Sequence, residues 1–212
     1  MKMNNCRTTL LATVFAAFAI PGTADAFDGR MLAAAAGKIA QSVASGTETV
    51  PGTGQIEVAF SPKGGAEELV IKAINSAQND IKVMAYAFTS ARVTEALINA
   101  SRRGVTVSMA VDADHNLSRG GGESNKGRAA LSALATSGVA VRVVSAFPIH
   151  HDKLIIVDER HVQSGSFNYT SSAQMRNSEY VMVNWDNPSL ASAMLPHFKR
   201  NFSLGKAFSP GY

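Results

Sequence analysis

From Gln55 onward, apolar residues recur in two rhythms. Short runs rich in Val and Ile (Ile56 to Phe60, Ile81 to Ala87, Val105 to Val111, Val139 to Val144) read as strands. Between them lie amphipathic stretches. In Ala66 to Ala77 the residues Leu69, Val70, Ala73, Ile74 and Ala77 share one helical stripe. Ser90 or Thr89 can cap a helix that runs through Arg103 and stops at Gly104. Arg128 to Ser137 reads as a helix ended by Gly138. Further on, Leu154 to Val157 and Val162 to Ser164 flank Asp158-Glu159-Arg160 as a strand pair. Glu179 to Trp185 is one more strand, and Leu190 to Phe202 is the closing helix. Strand and helix alternate with short connections through the first half. This predicts an α/β fold: a mixed, largely parallel sheet sandwiched between helices.

The N-terminus follows a different pattern. Lys2 and Arg7 precede an apolar stretch from Leu10 to Ile20, Pro21-Gly22 breaks it, and Ala24-Asp25-Ala26 has the small-x-small form of a cleavage site. Residues 1–26 are therefore expected to be a secretory signal peptide, cut after Ala26. The apolar stretch is shorter than the roughly 20 residues needed to span a bilayer, which disfavours an anchor. Residues 27–54 read as an N-terminal extension: an Ala-rich helix over Met31 to Val43, then Gly- and Pro-containing linker. Residues 55–212 are expected to form one domain.

Composition narrows the classes. A chain of 212 residues with 46% hydrophobic and 17% charged residues is globular, not disordered. Cleavage would remove Lys2, Arg7 and Asp25, so 20 basic and 16 acidic residues become 18 and 15. It would also remove Cys6, the only cysteine, leaving an exported protein with neither disulfide nor thiolate site. The mild basic balance permits an anionic partner without demanding one.

The chemistry concentrates in His150-His151-Asp152-Lys153-Leu154-Ile155-Ile156-Val157-Asp158. Strand alternation points His151 and Lys153 the same way, one pleat apart, and places an imidazole beside a fixed positive charge. Asp158 has the opposite parity and suits a structural hydrogen-bonding role. Seven residues on, Gly165-Ser166-Phe167-Asn168 supplies a close backbone bend and two neutral polar groups of like parity. A nucleophilic histidine needs a carboxylate to fix its tautomer, and Glu179 is the best candidate.

The H-x-K-x4-D spacing, the G-S-x-N block and the downstream Glu resemble the phospholipase D superfamily from about Gln55 to about Gly205. More narrowly they resemble the small, single-motif, exported, EDTA-resistant endonucleases of bacterial conjugative plasmids. The resemblance implies an αβα sandwich and a phosphohistidine intermediate on His151. It implies that Lys153, Ser166 and Asn168 hold phosphate oxygens and that Glu179 orients the imidazole. It gives Asp158, the third motif residue, a largely structural part. No metal or other cofactor is implied. Two motif copies form each site in that superfamily, so one copy per chain implies a two-fold homodimer.

The expected function is metal-independent hydrolysis of DNA, and of RNA in the wider reading. One alternative is a phospholipase D acting on phospholipid head groups without stable membrane insertion. The other is a non-catalytic nucleic-acid-binding protein of the envelope. Other features call for plainer readings. His150 has the wrong spacing for the motif and reads as an ordinary polar residue. Asp112, Asp114, Asn116 and Glu123 fall at calcium-loop positions, but Leu117 stands where glycine is needed, so a plain polar loop is the better reading. The glycine-rich loop over 118–126, with Lys126 and Arg128, lies where α/β sheets place ligands and is expected to touch substrate. Lys199, Arg200 and Lys206 read as the cationic end of the last helix. Met84, Phe88 and Trp185 read as core.

Overall fold

The computed structural model describes residues 47–118 and 122–210. The signal peptide expected over residues 1–26, the helix expected over Met31 to Val43 and loop residues 119–121 lie outside the described residues. In chain order the elements are β1 (Gln55–Ser61), α1 (Ala66–Asn75), β2 (Asp80–Ala85), α2 (Ala91–Arg102), β3 (Thr106–Asp112) and α3 (Ala113–Leu117). There follow α4 (Gly122–Thr136), β4 (Ala140–Val144), β5 (Lys153–Val157), β6 (His161–Gly165), α5 (Ser171–Met175), β7 (Glu179–Trp185), α6 (Pro188–Leu204) and β8 (Lys206–Ala207). Ser90 caps α2 as its sequence suggests, with its side chain accepting from the Val93 N–H.

The eight strands form one mixed sheet in the order β1-β7-β6-β5-β2-β3-β4-β8. The mixed α/β character is as expected, but "largely parallel" needs correcting. Only β2/β3 and β3/β4 pair in parallel; the other five pairings are antiparallel. The reason lies in the connections. Helices α2 and α4 carry the chain back across the sheet between β2, β3 and β4, which parallel pairing requires. A tight turn joins β5 to β6, and the link from β6 to β7 holds only the five-residue α5. Residues 145–152 run along the rim where β2 and β3 end, so β5 starts at that rim and runs against β2.

One face of the sheet packs on α1, α2 and α4. The core there includes Leu69, Val70, Leu97, Leu131, Ile155 and Val181. The other face is covered by α6 through Ala191 and Phe198, packed with Met84, Ala110, Leu154, Ile156 and Val162. Met84 and Phe88 are fully buried, as read from the sequence. Register pairs Leu154 with Ser164, Ser164 with Met182, and Met182 with Val58, so these residues share the α6 face. On that same face Ile56, Val58, Phe60 and Tyr180 are 62%, 54%, 58% and 49% exposed. They form an apolar strip on the outer two strands.

The polar features expected near β3 also change. Residues 113–117 form a short helix where a loop was read, capped by the Asp112 carboxylate. The next helix already begins at Gly122, so the glycine-rich loop is shorter than expected.

Candidate active site

The rim of the sheet collects one end of each central strand: the ends of β2, β3 and β6, and the starts of β5 and β7. This is why His151, Lys153, Ser166, Asn168 and Glu179, spread over 29 positions, converge. Lys153 is the first residue of β5 and pairs with Ala85. Its ammonium lies 3.3 Å from Nε2 and 3.4 Å from Nδ1 of His151, and it donates to the His151 carbonyl at 3.0 Å. The cation therefore sits against the ring. Burial pushes the Lys153 ammonium below its ordinary value, and the Glu179 and Asp152 carboxylates pull it back up. His151 itself is exposed.

Gly165 ends β6 at φ 154°. A β-carbon there would lie 2.3 Å from the Tyr180 carbonyl oxygen, so only glycine allows the two backbones to approach this closely. The approach sets Ser166 beside Glu179. Ser166 Oγ donates to Glu179 Oε2 at 2.6 Å and accepts from the Tyr180 N–H at 3.1 Å. Asn177 Nδ2 donates to the other carboxylate oxygen at 3.0 Å. Among the described residues Glu179 makes no hydrogen bond to His151 of its own chain. Asn168 Oδ1 is buried without a partner among the described residues.

Asp158 lies at the far end of β5. Its carboxylate accepts from the backbone N–H groups of Gln78, Asn79 and Asp80 at 2.9, 2.8 and 2.9 Å. Burial would raise its pKa, but the three N–H groups outweigh that and hold it below the ordinary carboxylate value. Asp158 and Glu159 both have left-handed φ, 52° and 51°, in the turn between β5 and β6. A primed turn of this kind matches the twist of a hairpin.

The rim also holds residues that sequence reasoning passed over. The Tyr86 ring lies 4.8 Å from the His151 imidazole and 4.4 Å from that of His115, and the Lys153 ammonium stands 5.5 Å from its centroid. The available signal was positional: Tyr86 directly follows the end of a strand in the parallel part of the sheet. Asp112 and Asn116, read as potential cation ligands, are spoken for. Asp112 accepts from the backbones of His115 and His150, and Asn116 bonds the backbones of Tyr86, Phe88 and Asp112. The side chain of Glu123 lies outside the described residues. Among the described residues no group of three or more His, Cys, Asp or Glu converges to hold a metal ion.

Comparison with known proteins fits this geometry to a family. Residues 70–202 match the family model described as "Cardiolipin synthase, PLD-like domain". The chain belongs to the phospholipase D superfamily. It is an enzyme of that superfamily, which sets aside the non-catalytic alternative. A phospholipase D from Rickettsia prowazekii is 32% identical over 145 residues, covering 68% of this chain and 67% of that protein. For the Rickettsia conorii relative, also named phospholipase D, the match is 33% and spans 60% of that protein. The solved structure of the phospholipase D family member Nuc from Salmonella typhimurium is 40% identical, with a TM-score of 0.69, covering 73% of this chain and 97% of Nuc. NucT from Helicobacter pylori shares the fold at 17% identity and a TM-score of 0.59. The single-motif, Nuc-like placement expected from the sequence holds.

Proposed function

We propose that this superfamily member is an exported phosphodiesterase that cuts DNA without strong sequence preference, and RNA by the same chemistry. The observation that carries the reading is the Lys153 ammonium held against both ring nitrogens of His151, on the rim that also presents Ser166, Asn168 and Glu179. A neutral His151 attacks phosphorus, forming a P–N bond as the P–O bond to the leaving group breaks. The leaving oxygen takes a proton from a second, protonated imidazole. Water then attacks the phosphohistidine, giving its proton to that second imidazole, and His151 leaves neutral. Lys153, with Ser166 and Asn168, holds the non-bridging oxygens where negative charge builds up. Charge compensation thus comes from side chains, and the reading needs no metal.

The second imidazole is His151 of another copy, in a two-fold homodimer. Two features support this. Glu179 is steadied by Ser166 and Asn177 and is not bonded to its own His151, which leaves it to orient the partner's imidazole. The exposed strip of Ile56, Val58, Phe60 and Tyr180 adjoins Glu179 and offers an apolar surface for the second copy. Residues 1–26 serve as the export signal, so the mature protein should begin at Phe27.

The test is nicking of supercoiled plasmid in excess EDTA. Wild type should nick, and His151→Ala should not, at unchanged fold by circular dichroism. An alanine variant that still cuts would refute the nucleophile assignment. Phe60→Glu should give a monomer by sedimentation and lose nicking. Relatives named phospholipase D favour a second reading, hydrolysis of phospholipid head groups. Choline release measured on the same preparation separates the two. Among the described residues no helix is long and apolar enough to cross a membrane.

A further inference from the structure

Residues 149–152 belong to no strand, so His151 sits just outside the ladder that begins at Lys153. Two side chains from other elements hold the residues on either side of it. On one side, the buried Asp112 accepts the His150 backbone N–H at 2.8 Å with Oδ2, while its Oδ1 caps α3 through the His115 N–H at 2.8 Å. On the other, His197 Nε2 lies 3.0 Å from Asp152 Oδ1. His197 belongs to α6, and the next residue, Phe198, anchors that helix in the core.

The tautomer of His197 follows from its neighbours. Arg200 Nη2 stands 3.2 Å from His197 Nδ1, and a guanidinium can only donate. Nδ1 therefore accepts, Nε2 carries the proton, and that proton points at Asp152. The second Asp152 oxygen is 3.6 Å from His150 Nδ1, too far for a hydrogen bond. Neither contact involves the His151 ring. Fixing both neighbours therefore fixes the backbone while leaving the reacting ring clear.

We propose that Asp112 and His197 are positioning residues that aim His151 by clamping His150 and Asp152; this rests on the reading of His151 as the nucleophile. It also accounts for Asp112, which the motif left over: it is a hinge pin between β3 and the rim, and position 150 serves it through the backbone N–H. Near-attack geometry is sensitive to such supports: a shift of about 1 Å costs on the order of a hundredfold in rate.

The test uses the full chain with bis(4-nitrophenyl) phosphate in EDTA, a substrate too small to report on extended nucleic-acid contacts. His197→Leu should lower kcat roughly ten- to hundredfold with KM within about threefold of wild type. His197→Gln, which keeps an N–H donor for Asp152, should recover kcat to within about threefold. Asp112→Asn, which turns an N–H donor toward one of the two backbone N–H groups, should lower kcat in the same manner. A His197→Leu enzyme with wild-type kcat overturns the proposal. So does a pattern in which the Leu and Gln variants lose kcat alike and melt earlier together. His151→Ala separates the two levels. If it still turns over, the nucleophile reading fails; if it is inert while His197→Leu is unaffected, only the clamp fails.

Discussion

Lys153, which opens strand β5, and Asp158, just past its end, are only five positions apart in sequence, yet the two ends are built on opposite principles. At the Asp158 end every strong polar group is matched: three backbone N–H groups on one carboxylate, and a turn closed by the Arg160 N–H to the Val157 carbonyl at 2.9 Å. At the Lys153 end the ammonium faces an imidazole and an aromatic ring, and no carboxylate among the described residues lies within bonding distance of it. One end is finished as structure. The other holds its ammonium on neutral acceptors without a counter-charge, which suits it to a phosphate. A single motif thus contains a fastening and a tool, and the hydrogen-bond inventory distinguishes them where the spacing does not.

The sharpest way to break this contrast is to cut each end in turn. Lys153→Met should lower kcat for plasmid nicking by about 10²–10³, as loss of a charge-stabilising donor does elsewhere. Stability should hold or rise, because a desolvated ammonium is replaced by an apolar chain. A clear drop in the denaturation midpoint would mean that Lys153 is a structural ion. Asp158→Ala should do the reverse. Freeing three backbone N–H groups should cost roughly 2–4 kcal/mol, read by urea denaturation, while the folded fraction keeps kcat within a few-fold. Undiminished stability would place Asp158 on the chemical side instead.

A finer cut lies beneath the tool end. Tyr86→Leu removes the ring under both the imidazole and the ammonium and should lower kcat about fivefold, in line with a cation–π contact of about 1 kcal/mol. Tyr86→Phe keeps the ring and should stay near wild type. Equal losses in the two variants would shift the role from the ring to the hydroxyl.

The sequence was legible where side-chain type and spacing determine position. The H-x-K spacing put His151 beside Lys153, although His151 lies just before the strand and not in it, Gly165 announced a close approach, and Glu179 begins its strand at the expected residue. Ser90 was legible as a cap because capping is local. What stayed hidden depends on which strands become neighbours. No local pattern says that β1 will pair with β7, or that β5 will lie next to β2 and bring Asp158 to residues 78–80. The overestimate of parallel pairing has the same origin, since a rim connection and a crossover look alike until it is known which end of the sheet they return to. Asp112 and His197 were misread or passed over for that reason: each acts on a segment 38 or 45 residues away.

The smallest expected effect tests the clamp region through pH. His150 is buried, and neither ring nitrogen has a hydrogen-bond partner among the described residues. Burial pushes its pKa below the ordinary 6.5, against the pull of Asp152 and Asp112. With the folded value depressed, the unfolded chain takes up the proton first as pH falls. The associated stability is fully present above 6.5 and drains away toward the lower folded value. His150→Leu removes this titration and an unmatched buried imidazole while keeping the backbone N–H that Asp112 holds. Its stability advantage over wild type should therefore widen from pH 7.5 to pH 5, to about 1 kcal/mol. His161, also depressed chiefly by burial, adds a slope of the same sign to both proteins and cancels in the comparison. Parallel stability curves for the two proteins would show that His150 does not titrate on folding, whereas retained nicking by the variant would show that position 150 serves through its backbone alone.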